Sequence, residues 1–292
     1  KPSSAYDALY ESARCRSEAD WLVGMNASRA FSLRYNAHLS VGRVQTPTLS
    51  LIVRRDREIE RFVPEEYWEV RAHFGDYEGL WINPAPPKEG RDGEKQPDTR
   101  IYDKKIAEQI RDAVKGKSAV VEESVTERRR YQPPQLFDLT SLQREANRKF
   151  GFSADKTLKL AQALYETHKA LTYPRTDSRY LPDDMKPKVA KILQGLSEPY
   201  AAMVADERFN PQVYSKRWYD NSKISDHHAI VPTERRVDLS RFSADEKKLY
   251  DLVVRRLIAM HYPDYLFDSA RVITRVNEHR FRSNGTMTVD EG

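Results

Sequence analysis

Cysteine is almost missing from this sequence: Cys15 is the only one in 292 residues. A single thiol excludes an internal disulfide framework and any zinc site built from two or more thiolates within the chain, and it fits a reducing compartment. Long apolar runs are missing too. No stretch approaches the ~18 consecutive apolar residues that a membrane-spanning helix needs, so no membrane segment is expected. No apolar run resembling a signal peptide follows Lys1-Pro2-Ser3-Ser4, although a chain beginning inside a longer protein would show none in any case. The expected location is cytoplasmic. Internal repeats and low-complexity tracts are likewise absent. The charge excess is small, with 49 Lys and Arg against 44 Asp and Glu leaving +5. That tilts the odds toward a polyanionic partner without specifying one.

What is present is length and pattern. A chain with 39% hydrophobic and 32% charged residues can bury a substantial core, and its length predicts two or three domains. Residues 18–33 are compatible with helix. Residues 44–62 read more firmly as one, with Leu49, Ile52, Val53, Ile59 and Phe62 near helical spacing. Arg54, Arg55, Arg57 and Arg61 alternate there with Asp56, Glu58 and Glu60, which predicts a solvated face laced with ion pairs. Beyond Pro64, residues 67–74, 77–82 and 118–126 are rich in aromatic and β-branched side chains and read as strands. The intervening 84–100 reads as a long exposed loop before a short helix over 103–114.

After Gln132-Pro133-Pro134 the pattern turns helical. Thr140 with Gln143 resembles a capping box opening a helix that Gly151 stops, and Ser153 caps a second helix striped by Leu158, Ala161, Leu164 and Tyr165. A third helix spans 184–193. Ser243 with Glu246 forms another capping box, opening a helix to His261. Pro263 ends that helix, 267–276 alternates like a strand, and 281–292 shows no convincing terminal element.

Three clusters carry candidate chemistry. In Leu171-Thr172-Tyr173-Pro174-Arg175-Thr176-Asp177-Ser178, an extended backbone would point Tyr173 and Arg175 to one side. Pro174 cannot donate a ladder hydrogen bond and disfavours helix for Tyr173, which predicts an irregular extended segment with an accessible phenol. A guanidinium favours a phenolate and holds an anionic phosphate within its reach, and its fork of donors matches the oxygens of a pentavalent phosphorus. The plain alternative is a turn with an arginine–aspartate pair. In Ser225-Asp226-His227-His228-Ala229-Ile230-Val231-Pro232-Thr233, adjacent histidines cannot face the same site, so one serves a site and the other packs or is solvated. A histidine beside a phosphate donates one N–H while Asp177 or Asp226 orients its other nitrogen; metal ligation by His227 and His228 lacks a third ligand at recognisable spacing. The third cluster, Leu39-Ser40-Val41-Gly42-Arg43-Val44-Gln45-Thr46-Pro47, is either an ordinary helix start or a turn bringing backbone N–H groups, Arg43 and Gln45 to a phosphate or base edge. Separately, Trp218, Tyr219 and Tyr214 interleave with Lys216, Arg217 and Lys223 as a base-stacking platform or a buried aromatic cluster.

In their order along the chain, Ser40-Val41-Gly42-Arg43-Val44-Gln45-Thr46-Pro47, Tyr173-Pro174-Arg175-Thr176-Asp177-Ser178 and His227-His228-Ala229-Ile230-Val231-Pro232-Thr233 resemble type IA DNA topoisomerases. The likeness runs over nearly the whole chain. Asp20-Trp21-Leu22-Val23-Gly24-Met25-Asn26-Ala27-Ser28-Arg29-Ala30, the proline after Tyr173 and the paired histidines look most like the bacterial topoisomerase III branch; Phe62-Val63-Pro64-Glu65-Glu66-Tyr67-Trp68 is shared with the wider family. The resemblance implies a multi-domain α and β fold, a partial torus. In it, 1–67 would be part of a helical base domain, 68–133 with 260–292 a β arch, and 134–259 a helical domain carrying the active-site tyrosine.

The resemblance also implies roles. Tyr173 would be the nucleophile that forms a 5′-phosphotyrosine link to one DNA strand, Arg175 would position the scissile phosphate, and His227 would contact it near Asp177. Arg43, Gln45, Thr176, Ser178 and Arg29 would contact single-stranded DNA. Transesterification keeps the phosphodiester energy, so no ATP is implied. The family's magnesium site lies in an amino-terminal Toprim domain with an Asp-x-Asp-x-Glu motif, and no Asp-x-Asp pair occurs in this sequence. The chain is therefore expected to be an internal piece of such an enzyme, a monomer that binds single-stranded DNA, holds no metal and cleaves poorly alone. Two other readings are a single-stranded nucleic-acid binding module and a metal-dependent relaxase-like nuclease using Tyr173 with His227 and His228.

Overall fold

A computed structural model describes residues 2–84 and 97–292. Of the stretch read as a long loop, 85–96 lie outside the described residues. Two compact units form, Lys1–Trp68 and Glu69–Gly292. Among the described residues no helix is long and apolar enough to cross a membrane.

The first unit contains α1 (Asp7–Tyr35) and α2 (Gln45–Glu60). α1 starts well before the apolar pattern does and ends at Asn36 in the left-handed region (φ 47°), a conformation that asparagine tolerates better than most residues. The loop after it is tied back to α1: Ser28 Oγ accepts from the Val41 N–H at 2.9 Å and Ser32 Oγ from the Leu39 N–H at 3.0 Å. Of the ion pairs expected along α2, Arg55–Glu58 (3.0 Å) forms among the described residues.

The second unit combines a sheet with a helical core. Its strands are β1 (Arg71–His73), β2 (Glu78–Trp81), β3 (Val120–Tyr131), β4 (Tyr265–Val276) and β5 (His279–Asp290), all antiparallel in the order β1-β2-β5-β4-β3. Two expectations are corrected here. β3 continues past 126 through Arg128-Arg129-Arg130 because β3 is an edge strand, where charged side chains are tolerated and protect against stray pairing. Arg128 pairs across the ladder with Asp268 (2.5 Å), and Glu122 receives Arg275 (2.6 Å) and Arg280 (2.8 Å). The 281–292 segment, read as structureless, is most of β5. Asn277 in the left-handed region (φ 53°) turns β4 into β5, and the long partner strand then pairs a sequence whose own strand propensity is poor. The hairpin also holds α3 (Lys104–Val114), since Asn277 Nδ2 donates to the Ala113 carbonyl at 2.8 Å.

The helical part comprises α4 (Leu139–Phe150), α5 (Ala154–Glu166), α6 (Lys186–Gln194), α7 (Tyr200–Val204) and α8 (Ala244–Ala259). Leu142 and Ala146, Ala161 and Leu164, and Leu249, Val253 and Leu257 fall on single helix faces and meet in one buried cluster, the outcome expected of apolar residues three or four apart. Ser153 and the Ser243–Glu246 box cap α5 and α8 as predicted. α4 is different: its cap is Asp138, which shares a capping box with Ser141, not Thr140 with Gln143. Both residue types cap well, and the choice was made outside the helix, where the Leu139 N–H donates to the Thr176 carbonyl at 3.0 Å. Trp218 and Tyr219, at 5% and 3% exposure, belong to the same core. Their faces are covered, so the stacking-platform reading of these two residues fails.

α8 passes into β4 through His261 and Pro263. His261 is buried, its Nδ1 lies 2.8 Å from the Asn210 carbonyl, and its Nε2 has no partner. Burial pushes the imidazole pKa down, only partly countered by that hydrogen bond. The folded chain thus keeps His261 neutral, while an unfolded chain takes up a proton below about 6.5. Stability from this group is full above that pH and is lost as pH falls, at no more than about 1.4 kcal/mol per pH unit. Urea midpoints followed from pH 7.5 to 5.5 should fall more steeply for the parent than for His261→Asn, which keeps a donor near Asn210 but cannot titrate. Asp138→Ala should cost about 1–2 kcal/mol. Thr140→Ala should stay within about 0.5 kcal/mol, and equal losses in denaturant titrations would restore the Thr140 cap.

Candidate active site

Between α5 and α6 the backbone is extended but irregular, because its hydrogen bonds go to several partners in turn. Isolated bridges join Leu171 to Pro232 and Leu181 to Tyr219. Between them the Thr172 N–H donates to the Val231 carbonyl (2.9 Å), the Thr176 carbonyl accepts from Leu139, and the Tyr180 carbonyl accepts from the Ala229 N–H (2.9 Å). The segment is threaded between the 223–233 loop and the start of α4. Burial alternates along it: Pro174, Thr176 and Ser178 are inside, Tyr173 is half-buried, and Arg175 and Asp177 are exposed. That is the two-residue period of extended chain, and it leaves Tyr173, Arg175 and Asp177 on the outward side.

The inward hydroxyls are committed within the protein. Thr176 Oγ1 donates to the His227 carbonyl (3.0 Å) and accepts from the Ser178 N–H (3.1 Å). Ser178 Oγ donates to the Lys223 carbonyl (3.2 Å) and accepts from the Tyr180 N–H (3.2 Å). These contacts bring the histidine loop to the tyrosine segment. The Tyr173 ring meets the His227 ring at 4.4 Å between centroids, tilted by 45°, and the Tyr165 ring edge-on at 5.5 Å. His228 diverges from its neighbour, with Nδ1 2.8 Å from the Ala229 carbonyl.

An open cleft of about 410 Å³ lies at this seam, lined by Leu139, Thr140, Arg175, Thr176, Asp177, Ser225, Asp226 and His227. The first turn of α4 thus contributes one wall; its Leu139 and Ser141 N–H groups are taken by the Thr176 carbonyl and Asp138 Oδ1, which leaves the Thr140 N–H and the helix dipole to favour an anion. Arg175 and His227 add donors on the same cleft, and Asp177 and Asp226 add negative charge. Among the described residues His227 makes no ion pair with either carboxylate. Tyr173 itself is not a lining residue; it reaches the cleft through His227.

Behind the cleft, Arg179 Nε donates to Asp138 Oδ2 at 2.6 Å. Burial pushes the Asp138 carboxyl up, but hydrogen bonds from Ser141 and Arg179 outweigh it and hold the group below the ordinary carboxylate range. This pair locks the residue after the tyrosine motif to the cap of α4. Sequence reasoning passed over Asp138, Arg179 and Tyr165 as site residues, and the one available signal was Arg179 directly following Ser178.

The remaining candidates belong to the first unit. Arg43 forks onto Asp20 at 2.5 and 3.1 Å, which holds the Asp20 carboxyl low through that hydrogen bond and raises Arg43. Gln45 opens α2 and folds over Gly42, where an added Cβ would stand 3.1 Å from Gln45 Cγ and Nε2. Arg29 is exposed on α1. As for metals, no three His, Cys, Asp or Glu side chains among the described residues converge as a binding group. Among the described residues the donors do not form a set fitting magnesium, nor a two-histidine nuclease metal, since His228 diverges from His227.

A family model described as DNA topoisomerase matches residues 4–292. DNA topoisomerase 3 of Bacillus subtilis (strain 168) is 39% identical over 288 residues, covering 98% of this chain and 38% of that protein. DNA topoisomerase 3 of Bacillus cereus (strain ATCC 14579) is 40% identical over 296 residues, covering 100% of this chain and 39% of that protein. The solved structure of full-length topoisomerase I from Thermotoga maritima aligns with a TM-score of 0.66 at 27% identity, over 94% of this chain and 43% of that one. The chain spans about two fifths of the length of the curated relatives it matches. A match along the whole sequence, joined to a like fold, places it: the chain belongs to the bacterial type IA DNA topoisomerase family.

Proposed function

We propose that this chain carries the nucleophile half of a site that cuts and rejoins one strand of DNA. The observation that supports it best is the contact of the Tyr173 ring with His227, which shares a cleft with Arg175. The phenol oxygen of Tyr173 attacks a backbone phosphorus and forms a 5′-phosphotyrosine bond. The P–O3′ bond breaks, and the departing 3′ oxygen takes up a proton as the phenol loses one. Return attack by the 3′-hydroxyl reverses each change, so the bond energy is kept and no nucleotide cofactor is consumed.

Each neighbour has a part in this reading. Arg175 holds the non-bridging phosphate oxygens through its planar fork, His227 donates an N–H to the same group, and the first turn of α4 supplies the Thr140 N–H as a backbone donor. Asp177 accepts from whichever donor the phosphate leaves free. Thr176 and Ser178, also expected along the strand, hold the histidine loop in place through their hydroxyls. Arg43, Gln45 and Arg29 contact the single strand from the first unit, where Arg43 keeps donors that Asp20 does not use. The acidic magnesium ligands belong to the rest of such a protein, which also supplies strand passage. The chain alone binds single-stranded DNA and cleaves poorly, and it needs neither a second copy nor a membrane.

Three measurements test this. Incubating the 292-residue chain with labelled single-stranded oligonucleotide should yield no more than a trace of covalent adduct; a ready adduct that vanishes in Tyr173→Phe would overturn the claim of poor cleavage. In a longer protein containing this sequence and the acidic metal site, Tyr173→Phe should abolish the adduct and Arg175→Gln should slow its formation by about 10²-fold. An adduct surviving in Tyr173→Phe would remove the nucleophile assignment. Binding by the chain should also weaken with salt at a log–log slope of about −0.7 per phosphate contact, and a flat response would exclude a charged groove.

A further inference from the structure

Lys169 follows the end of α5, with Thr167 as its C-cap, and adopts φ +51°. It stands two residues past that cap, in the left-handed region that favours glycine because a Cβ there crowds the backbone. The conformation is imposed by the main chain around it. The Ala170 N–H donates to the Leu164 carbonyl (2.7 Å), the Thr233 N–H to the Ala170 carbonyl (3.0 Å), and the Thr233 hydroxyl to the Lys169 carbonyl (2.6 Å). None of these bonds uses the lysine side chain, so the fold alone would be better served by glycine.

The side chain goes instead to Tyr165. Its ammonium stands 5.7 Å from the centroid of that ring, and Tyr165 meets Tyr173 edge-on at 5.5 Å. Lys169 is exposed, Tyr165 is half-exposed, and Lys169 has no ion pair among the described residues. Neither residue lines the cleft that holds Arg175 and His227. An unpaired cation, a half-exposed aromatic ring and the candidate nucleophile therefore form one row outside the known cleft.

We propose that Tyr165 and Lys169 form a separate nucleotide subsite beside Tyr173. It takes one nucleotide of a single-stranded nucleic acid flanking the attacked phosphate, with the base against the Tyr165 ring and its phosphate on the Lys169 ammonium. Stacking on an aromatic face with a nearby cation is how single strands are held without regard to sequence. The strained backbone is retained because lysine at this position supplies a charge that glycine could not. The subsite rests on the reading of Tyr173 given above.

The test is oligonucleotide affinity of the 292-residue chain, by fluorescence anisotropy across a salt series, with thermal melting as the control for folding. Lys169→Gly should melt at the same temperature as the parent or higher, bind several-fold more weakly at low salt, and lower the magnitude of the salt slope by about 0.7. Lys169→Arg should keep the slope. Tyr165→Leu should weaken binding by about fivefold or more, and Tyr165→Phe should restore it. If Lys169→Gly and Tyr165→Leu bind like the parent while Arg175→Gln binds weakly, the subsite is wrong and the cleavage reading survives. If Arg175→Gln also binds like the parent, both fall together. A lower melting temperature for Lys169→Gly would make the lysine a structural residue and overturn the proposal.

Discussion

The hydroxyl of Thr176 donates to the His227 carbonyl and accepts from the Ser178 amide, and this buried group, with the Thr172–Val231, Ser178–Lys223 and Tyr180–Ala229 bonds on either side, holds two segments far apart in sequence side by side. Leaving such a donor or acceptor unsatisfied costs about 1–3 kcal/mol, which opposes separation of the tyrosine segment from the histidine loop. The outward side chains inherit their positions from that clamp. With Thr176 and Ser178 directed inward, the period of extended chain directs Tyr173, Arg175 and Asp177 outward.

The second constraint is the start of α4. Asp138 caps the helix, accepts Arg179, and stays charged because its hydrogen bonds outweigh its burial. The same residue therefore fixes where the first turn of the helix points and where the chain goes after the tyrosine motif. An anion arriving in the cleft meets Arg175, His227 and a helix terminus whose placement is set by buried polar contacts rather than by the anion itself. Such preorganisation matters for charge that develops during a reaction, since no reorganisation is needed when it appears.

Legibility differed by element for physical reasons. The helices with amphipathic stripes and side-chain caps, such as α5 and α8, were readable because their stabilising contacts are three or four residues apart. β5 was not, because a strand of Arg, Ser, Asn, Gly and Thr becomes a strand only when a twelve-residue neighbour pairs with it. Arg128-Arg129-Arg130 looked unlike a strand for the same reason. Trp218 and Tyr219 resembled a platform in sequence, and only burial among distant residues showed that their faces are occupied.

At the site, the sequence by itself determined the chemistry on offer: a phenol and a guanidinium two positions apart around a proline, and two adjacent histidines that cannot face one way. Local geometry is enough for that, since alternation and the missing proline donor act between neighbours. Resemblance to the family had pointed to His227, but the meeting of its ring with Tyr173, the residue that caps α4 and the lysine that stands over Tyr165 were decided by the tertiary structure. Those choices depend on hydrogen bonds and ring contacts between positions tens of residues apart, and no periodicity along the chain encodes such a meeting.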